Sequence, residues 1–570
     1  MTQTRTFLLF ALMAVAYLLW MAWEKDYGPR PAQPQAPVAA ASGTAPADAG
    51  VPGAAASAPA AAVPAGGSGA PAAPARLITL STDVLRLTVD TRGGTVVRSE
   101  LLHYPAEPRT RKNPAPPPVR LLDDEQAQYF VAQSGLVSSQ GEAPDHRAVF
   151  LAAQGSYQLA DGQDELKVDL TWQDAAGLKV TKTYTLKRGS YVVNLEQTVD
   201  NGGSAPWQGN AYTQLQRVQP PQLSGWFANF TNPSAHSFLG AAWYSPEDKF
   251  DSLPFADFKD PKKTLHRTVT GGWVAMLQHY FFAAWIPPAG EADSYATAVV
   301  NPDTAQPAYL IRAVGPALSV APGQRATAAA RLYVGPKLQG QLDAIAPGLE
   351  LTTNYGWLTA IAQPLHWLLS KLHALCGNWG LAIVLLVLLL KAALWKLTAA
   401  QFRSGARMRK LQPRVQALRE RYGDDKMKLQ QAMMELYKKE KVNPMAGCLP
   451  ILVTFPVFLG LYRVLMESVE LRQAPFVGWI HDLSAPDPFF VLPAIYVLVM
   501  LATQWLTPTT GMDPTQAKMM KVMPLLFAVM FAFFPAGLVL YWVVNGATSL
   551  AQQWFITRQV EQAEHKAKTA

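Results

Sequence analysis

The chain has 570 residues, 49% of them hydrophobic and only 16% charged, yet its mean hydropathy is near zero at +0.05. That balance excludes a single small domain and points to soluble and membrane parts joined in one polypeptide. The net charge of +8 sits mostly in one segment, which argues for membrane topology over nucleic-acid binding.

Residues 7–23 (FLLFALMAVAYLLWMAW) are an apolar run of transmembrane length with no small-residue cleavage pattern after it. They are read as an uncleaved signal anchor within 1–27. Arg5 on one side and Lys25 and Arg30 on the other orient it weakly, so its direction must come from the other spans. Residues 28–75 are Pro, Ala, Gly and Ser with almost no bulky apolar side chain. Such a stretch cannot bury a core, and it reads as a disordered tether averaging roughly 40 Å end to end.

From 76 to about 350 the character changes. Short alternating runs, VLRLTV at 84–89, KVTKTYTL at 179–186 and YVVNL at 191–195, are separated by turn signals at Arg92-Gly93-Gly94, Arg188-Gly189 and Asn201-Gly202-Gly203. Period-two strands without intervening helices predict a large antiparallel β-sandwich. Its aromatic residues, Trp226, Trp243, Trp273, Tyr280 and Trp285 among them, either pack in core and rim or line a ligand cleft. No metal-ligand spacing, Gly-x-Ser-x-Gly elbow or phosphate loop occurs, so nothing points to an enzyme or a cofactor.

Over 351–375 the apolar residues Trp357, Leu358, Ile361, Leu365, Leu368, Leu369, Leu372 and Leu375 recur at helical spacing, interrupted at Pro364. An amphipathic helix in the membrane interface fits this pattern, with a core helix of the sandwich as the rival reading. Next comes GLAIVLLVLLLKAALWK at 380–396, whose unbroken apolar run from Leu381 ends at Lys391. For a helix entering lipid near Trp379, that lysine lies roughly 18 Å along. A cation there either faces a bundle interior and marks a functional site, or, if the span begins nearer Leu372, snorkels to the membrane edge.

The segment 396–441 is rich in Lys and Arg, including Arg407, Arg409, Lys410 and Arg414, which places it in the cytoplasm. Met408, Leu411, Val415 and Leu418, then Leu429, Met433 and Leu436, follow three- and four-residue spacing, with Gly423 as a stop and Asp424-Asp425 as a new N-cap. A helical hairpin over 396–445 results. Its basic face is solvated, lies near anionic lipid, or touches ribosomal RNA. Apolar stretches at 447–466, 489–506, 519–534 and 538–555 complete six spans with both termini cytoplasmic and the sandwich outside. This topology sets Trp395 and Lys396 at the cytoplasmic interface and Lys391 more than one turn inside. It also separates the two cysteines, Cys376 and Cys448, to opposite faces, so disulfides play no part.

The strings NPMAGCLPILVTFPVFLGLYRVL, ELRQAPFVGWIHDLSAPDPFF, PTTGMDPTQAKMMKVMP and FPAGLVLYWVVN resemble the YidC family of bacterial membrane protein insertases, and VLRLTVDTRGGTVVRSELLHY resembles the start of the periplasmic domain in Gram-negative members. The resemblance implies a multidomain protein: a six-span α-helical membrane protein, made of a five-helix core at 376–560 plus the signal anchor, with a large all-β periplasmic sandwich and a cytoplasmic tail at 561–570. It implies a hydrophilic groove open to the cytoplasm and to lipid but closed towards the periplasm. The family's basic groove residue, usually arginine, matches Lys391. Family polar positions match Val387 and Trp542, which leaves Thr454 and Asn545 as polar candidates.

Phe455, Phe458 and Met530 match positions where the family contacts an emerging substrate helix, with plain helix packing as the rival reading for each. Arg407, Arg409, Lys410, Arg414 and the loop residue Asp513 are candidates for recruiting substrate or ribosome. The implied partners are nascent integral membrane proteins, the ribosome, components of the Sec translocon and membrane lipids, at the bacterial inner membrane and without a cofactor. Two other classes stay open on the residues alone: a secondary transporter with a buried cation, and a membrane-anchored periplasmic sugar-binding module.

Overall fold

A computed structural model describes residues 74–109, 113–140, 142–221, 237–304, 306–353, 355–423, 425–440, 449–506 and 529–569. The expected anchor at 7–23, nearly all of the tether, Trp226, Cys448, Asp513 and the first part of the span expected at 519–534 lie outside the described residues.

The strands follow the period-two pattern. Along Leu178–Lys187 the residues Leu178, Val180, Lys182, Tyr184 and Leu186 are buried, while those between them are exposed or half-buried. The described strands form a ten-stranded and a nine-stranded sheet. Pairing is antiparallel throughout except where Leu77–Ser81 meets Ser156–Gln158. Trp207–Val218 lies between Phe130–Gln140 and Ala308–Val320 in the first sheet, and Val192–Asn201 lies between Leu178–Lys187 and Arg325–Pro336 in the second. Their inward faces make one core. Trp243, Trp273 and Trp285 are part of it, and Tyr280 packs half-buried against it. The indole N–H of Trp285 donates to the Gln214 carbonyl at 3.1 Å, and that of Trp273 to the Pro347 carbonyl at 3.2 Å, so these rings enter the interior with their polar atoms paired.

An inward position of the second sheet carries a charge-bearing side chain. Lys182 crosses from the second sheet, and its Nζ donates to the carbonyls of Gly93 and Ser134 at 2.7 Å each and to Ser134 Oγ at 2.9 Å. The Phe150 ring lies 5.0 Å away. Burial pushes its pKa down to about 7.

Beyond the sandwich the chain turns helical. The short helix α1 (Gln339–Ile345) leads through 3₁₀ turns to α2 (Thr359–Cys376). Pro364 lies inside α2 without ending it, unlike the interruption its position suggested. The helix absorbs the lost backbone hydrogen bond because Ala362, Leu365, His366 and Leu369 anchor one face in the bundle core. Trp367 and Leu375 are exposed on its other side.

Two capping devices then turn the chain. Gly377, at φ 67°, ends α2 in the left-handed conformation, with its N–H on the His373 carbonyl at 2.7 Å. Asn378 opens α3 (Trp379–Ala393), its side chain accepting from the Leu381 N–H at 2.9 Å. After Leu394 the chain continues as α4 (Trp395–Lys410), bent by 68° from α3. Among the described residues no single helix is long and apolar enough to cross a membrane, and this bent pair reaches that length and apolarity jointly.

The hairpin helices α5 (Gln412–Tyr422) and α6 (Lys426–Lys439) follow. Leu411 and Val415 are buried beneath them, Arg414 pairs with Glu440, and Asp425 caps α6 by accepting from the Lys428 N–H at 3.1 Å. The bundle is completed by α7 (Leu449–Glu467), α8 (Val491–Leu506) and the long α9 (Ala536–Thr569). Ile383, Leu386, Val387, Leu461, Val464 and Val539 meet at its centre.

The loop after α7 lies across one end of this bundle. Asn378 Nδ2 donates to the Phe476 carbonyl at 3.0 Å, and the N–H groups of Ala536 and Gly537 bond the carbonyls of Ala485 and Leu483 at 2.7 and 2.8 Å. The Phe476 ring sits directly on Gly380, where any Cβ would lie 2.1 Å from it, so only glycine permits the approach. Sandwich and bundle also share a polar junction. His279 Nε2 meets the Met466 carbonyl at 2.8 Å, Ser237 Oγ donates to Glu467 at 3.0 Å, and Arg472 donates to the Pro105 carbonyl at 2.7 Å.

Candidate functional site: a polar seam between helices

Lys391 stands in the last turn of α3, where the helix faces α9. Its Nζ donates to Ser549 Oγ at 2.6 Å, and Ser549 Oγ in turn donates to the Asn545 carbonyl one turn back at 2.8 Å. Lys391 is half-buried, and among the described residues no carboxylate pairs with it. An ammonium withdrawn from water without a counter-ion depends on such acceptors and on nearby polar groups. Val387, one turn earlier on α3, is buried at 2% exposure, so the wall on that side is apolar.

Asn545, Ser549 and Gln552 recur four and then three residues apart, which places them on one face of α9. Gln552 is 4% exposed, and its Oε1 accepts no hydrogen bond among the described residues. Ser549 and Gln552 are absent from the residues singled out in the sequence. The signal was available: the polar recurrence begins at Asn545, which was singled out, and continues through a stretch of small residues.

The other candidates gather elsewhere in the bundle. Phe458 of α7 and Trp542 of α9 have ring centres 4.7 Å apart, and Trp542 also meets Phe531 at 5.5 Å and Tyr496 at 5.9 Å. Met530 packs half-buried against the same core, and Thr454 is half-buried on α7. Phe455 differs from its neighbours. It is 54% exposed and its ring centre lies 6.4 Å from that of Phe458. Trp542 thus belongs to an aromatic cluster, and the polar seam runs through Lys391, Ser549 and Asn545.

On the hairpin side Arg407 and Arg414 are exposed. Arg409 and Lys410 lie on α4, and Asp513 lies outside the described residues. Among the described residues no cluster of His, Cys, Asp or Glu is arranged to hold a metal ion.

Two family models match consecutive parts of the chain: the YidC periplasmic domain over residues 77–368 and the 60Kd inner membrane protein family over 371–564. Among curated relatives, the membrane protein insertase YidC of Thioalkalivibrio sulfidiphilus is 45% identical over 99% of this chain and 100% of its own length. That of Methylococcus capsulatus is 45% identical over 96% of this chain and 97% of its own. That of Azotobacter vinelandii is 46% identical over 99% of both. Among solved structures, an active YidC insertase with its first transmembrane domain resolved is similar at 18% identity and a TM-score of 0.36, covering 84% of this chain and 93% of that one. Matches of this length take in sandwich and bundle together, and the chain belongs to the YidC family of membrane protein insertases.

Proposed function

We propose that this inner-membrane insertase moves the short polar segment of a nascent membrane protein along the seam at Lys391 while the apolar segment passes into lipid. The family supplies the class of substrate, nascent integral membrane proteins, and relatives of matching length weigh against a transporter or a sugar-binding module. The observation that carries the mechanism is the Lys391 ammonium held between α3 and α9 by one hydroxyl, with no carboxylate paired to it among the described residues. A positive charge without a counter-ion attracts a polar or acidic segment and lowers its cost of entering a low-dielectric layer.

Apolar burial then drives release, at roughly 25 cal/mol per Å² transferred, so the step needs no nucleotide. In this reading Phe455, Phe458 and Met530 line the exit, Thr454, Asn545 and Trp542 border the groove, and the sandwich lies in the periplasm with both termini cytoplasmic. The basic hairpin, with Arg407, Arg409, Lys410 and Arg414, and the loop at Asp513 recruit the ribosome or substrate, with the Sec translocon as a further partner.

The test is insertion of single-span substrates into proteoliposomes containing the full chain, with photocrosslinkers on α7 and at the end of the bundle that holds Met530. Lys391→Ala should lower insertion of polar-tailed substrates by roughly tenfold, the scale of one charged hydrogen-bonding group, and Lys391→Arg should restore it. Normal insertion of every substrate by Lys391→Ala would end this mechanism. Solute flux that depends on Lys391 would favour a transporter instead.

A further inference from the structure

We infer that Ser549 is a positioning residue for the Lys391 ammonium, fixing where that charge meets the substrate. The inference rests on the groove reading above. A lysine carries its charge on a flexible four-carbon stem and lacks the planar fork that lets an arginine orient itself. Something outside the side chain has to set its direction. Ser549 is built to do so: its own proton is committed to the Asn545 carbonyl at 2.8 Å, which turns the oxygen lone pairs away from α9 and towards Nζ at 2.6 Å.

The hydroxyl is therefore a fixed acceptor instead of a free rotor. Of the three ammonium donors one is taken by Ser549, and among the described residues no other acceptor engages Nζ, so two remain for a passing polar segment. A bare alanine at 549 would leave the ammonium able to swing with its stem. Threonine would keep the acceptor and the same bond to the carbonyl one turn back.

The experiment is a double-mutant cycle on the full chain in proteoliposomes. Ser549→Ala and Ser549→Thr are each made with Lys391 and with Lys391→Ala, and each variant is assayed with one single-span substrate bearing a short acidic tail and one bearing an uncharged apolar tail. Ser549→Ala should slow insertion of the acidic-tailed substrate by about fivefold with Lys391 present, and by nothing further in Lys391→Ala, because both changes remove the same interaction. Ser549→Thr should stay within about twofold of the parent, and the apolar-tailed substrate should be unaffected.

Equal losses in both lysine backgrounds, or equal losses for both substrates, would make Ser549 a packing residue and overturn the inference. Normal insertion by Ser549→Ala beside a defective Lys391→Ala would overturn it while leaving the groove reading intact. Normal insertion by Lys391→Ala would remove both together.

Discussion

His279 of the sandwich donates from Nε2 to the main-chain oxygen of Met466, 2.8 Å away in the last turn of α7. The bond needs a proton on Nε2, which the neutral tautomer and the charged ring both supply. Burial, with Lys337 and Arg472 adding to it, pushes the pKa of His279 down to about 4 despite the bond to Met466. The same corner holds Lys337, itself pushed down to about 8 by burial, and the Glu467 carboxylate on Ser237.

An unfolded histidine titrates near 6.5, so between about 6.5 and about 4 the unfolded chain binds the extra proton. Stability from this site is complete above the upper value and is lost as pH falls through the window, by up to about 3 kcal/mol. Thermal unfolding of the full chain in lipid nanodiscs between pH 7 and 4.5 should show this slope, and His279→Gln should flatten it. An unchanged slope in the variant would show that other groups carry it.

Lys182 gives a second pH signature in the opposite range. Its pKa of about 7 in the fold lies below its ordinary value, so the unfolded chain binds more protons between about 7 and 10.5 and stability rises with pH there. From pH 7 to 9 the gain should be roughly 2 kcal/mol. Lys182→Met should remove this gain, leaving only the part that Lys337 adds above about pH 8, and, by stranding the carbonyls of Gly93 and Ser134, cost about 1–3 kcal/mol at pH 7. Melting temperatures at the two pH values for parent and variant decide it.

Phe455 and Trp542 should separate function from packing. Phe455 is 54% exposed, so Phe455→Ala should change stability by less than about 0.5 kcal/mol yet reduce crosslinking of a substrate helix to α7. Trp542 sits among Phe458, Phe531 and Tyr496, and Trp542→Ala should cost about 3–5 kcal/mol. A Phe455 variant as unstable as the Trp542 variant would assign Phe455 to the core.

Gln552 carries a buried amide oxygen that accepts nothing among the described residues. Gln552→Leu should therefore stabilise the bundle or leave it unchanged, by about 1 kcal/mol at most, since it removes a desolvated acceptor and keeps the volume. Insertion of polar-tailed substrates should fall about threefold if that acceptor serves the seam. Melting and insertion measured on one preparation test both halves.

What could be read from the chain follows from how local each cause is. Gly93, Gly94 and Gly189, named as turn signals, have φ of 71°, 61° and 67°, and the strand period between such turns produced the sandwich. The same period put Lys182 on the inward face beside Val180 and Tyr184. Its acceptors lie 89 and 48 residues away, a pairing no local pattern encodes. Lys391 stood out because a cation in an apolar run is costly wherever it points. Ser549 did not, because a hydroxyl in a helix usually bonds its own preceding turn, as this one also does. Its second role exists only because α9 packs beside α3, 158 residues away.

The contact of Phe476 with Gly380 bears on what the membrane around this protein can retain. The loop after α7 is bonded across one end of the described helices, with the Phe476 ring packed where Gly380 leaves room, and on the groove reading that end is expected to hold back protons and small ions. Under that proposal a substrate would reach lipid while the voltage across the bilayer is kept. Enlarging residue 380 would force Phe476 aside, and its first symptom would be leakage of charge before any loss of insertion.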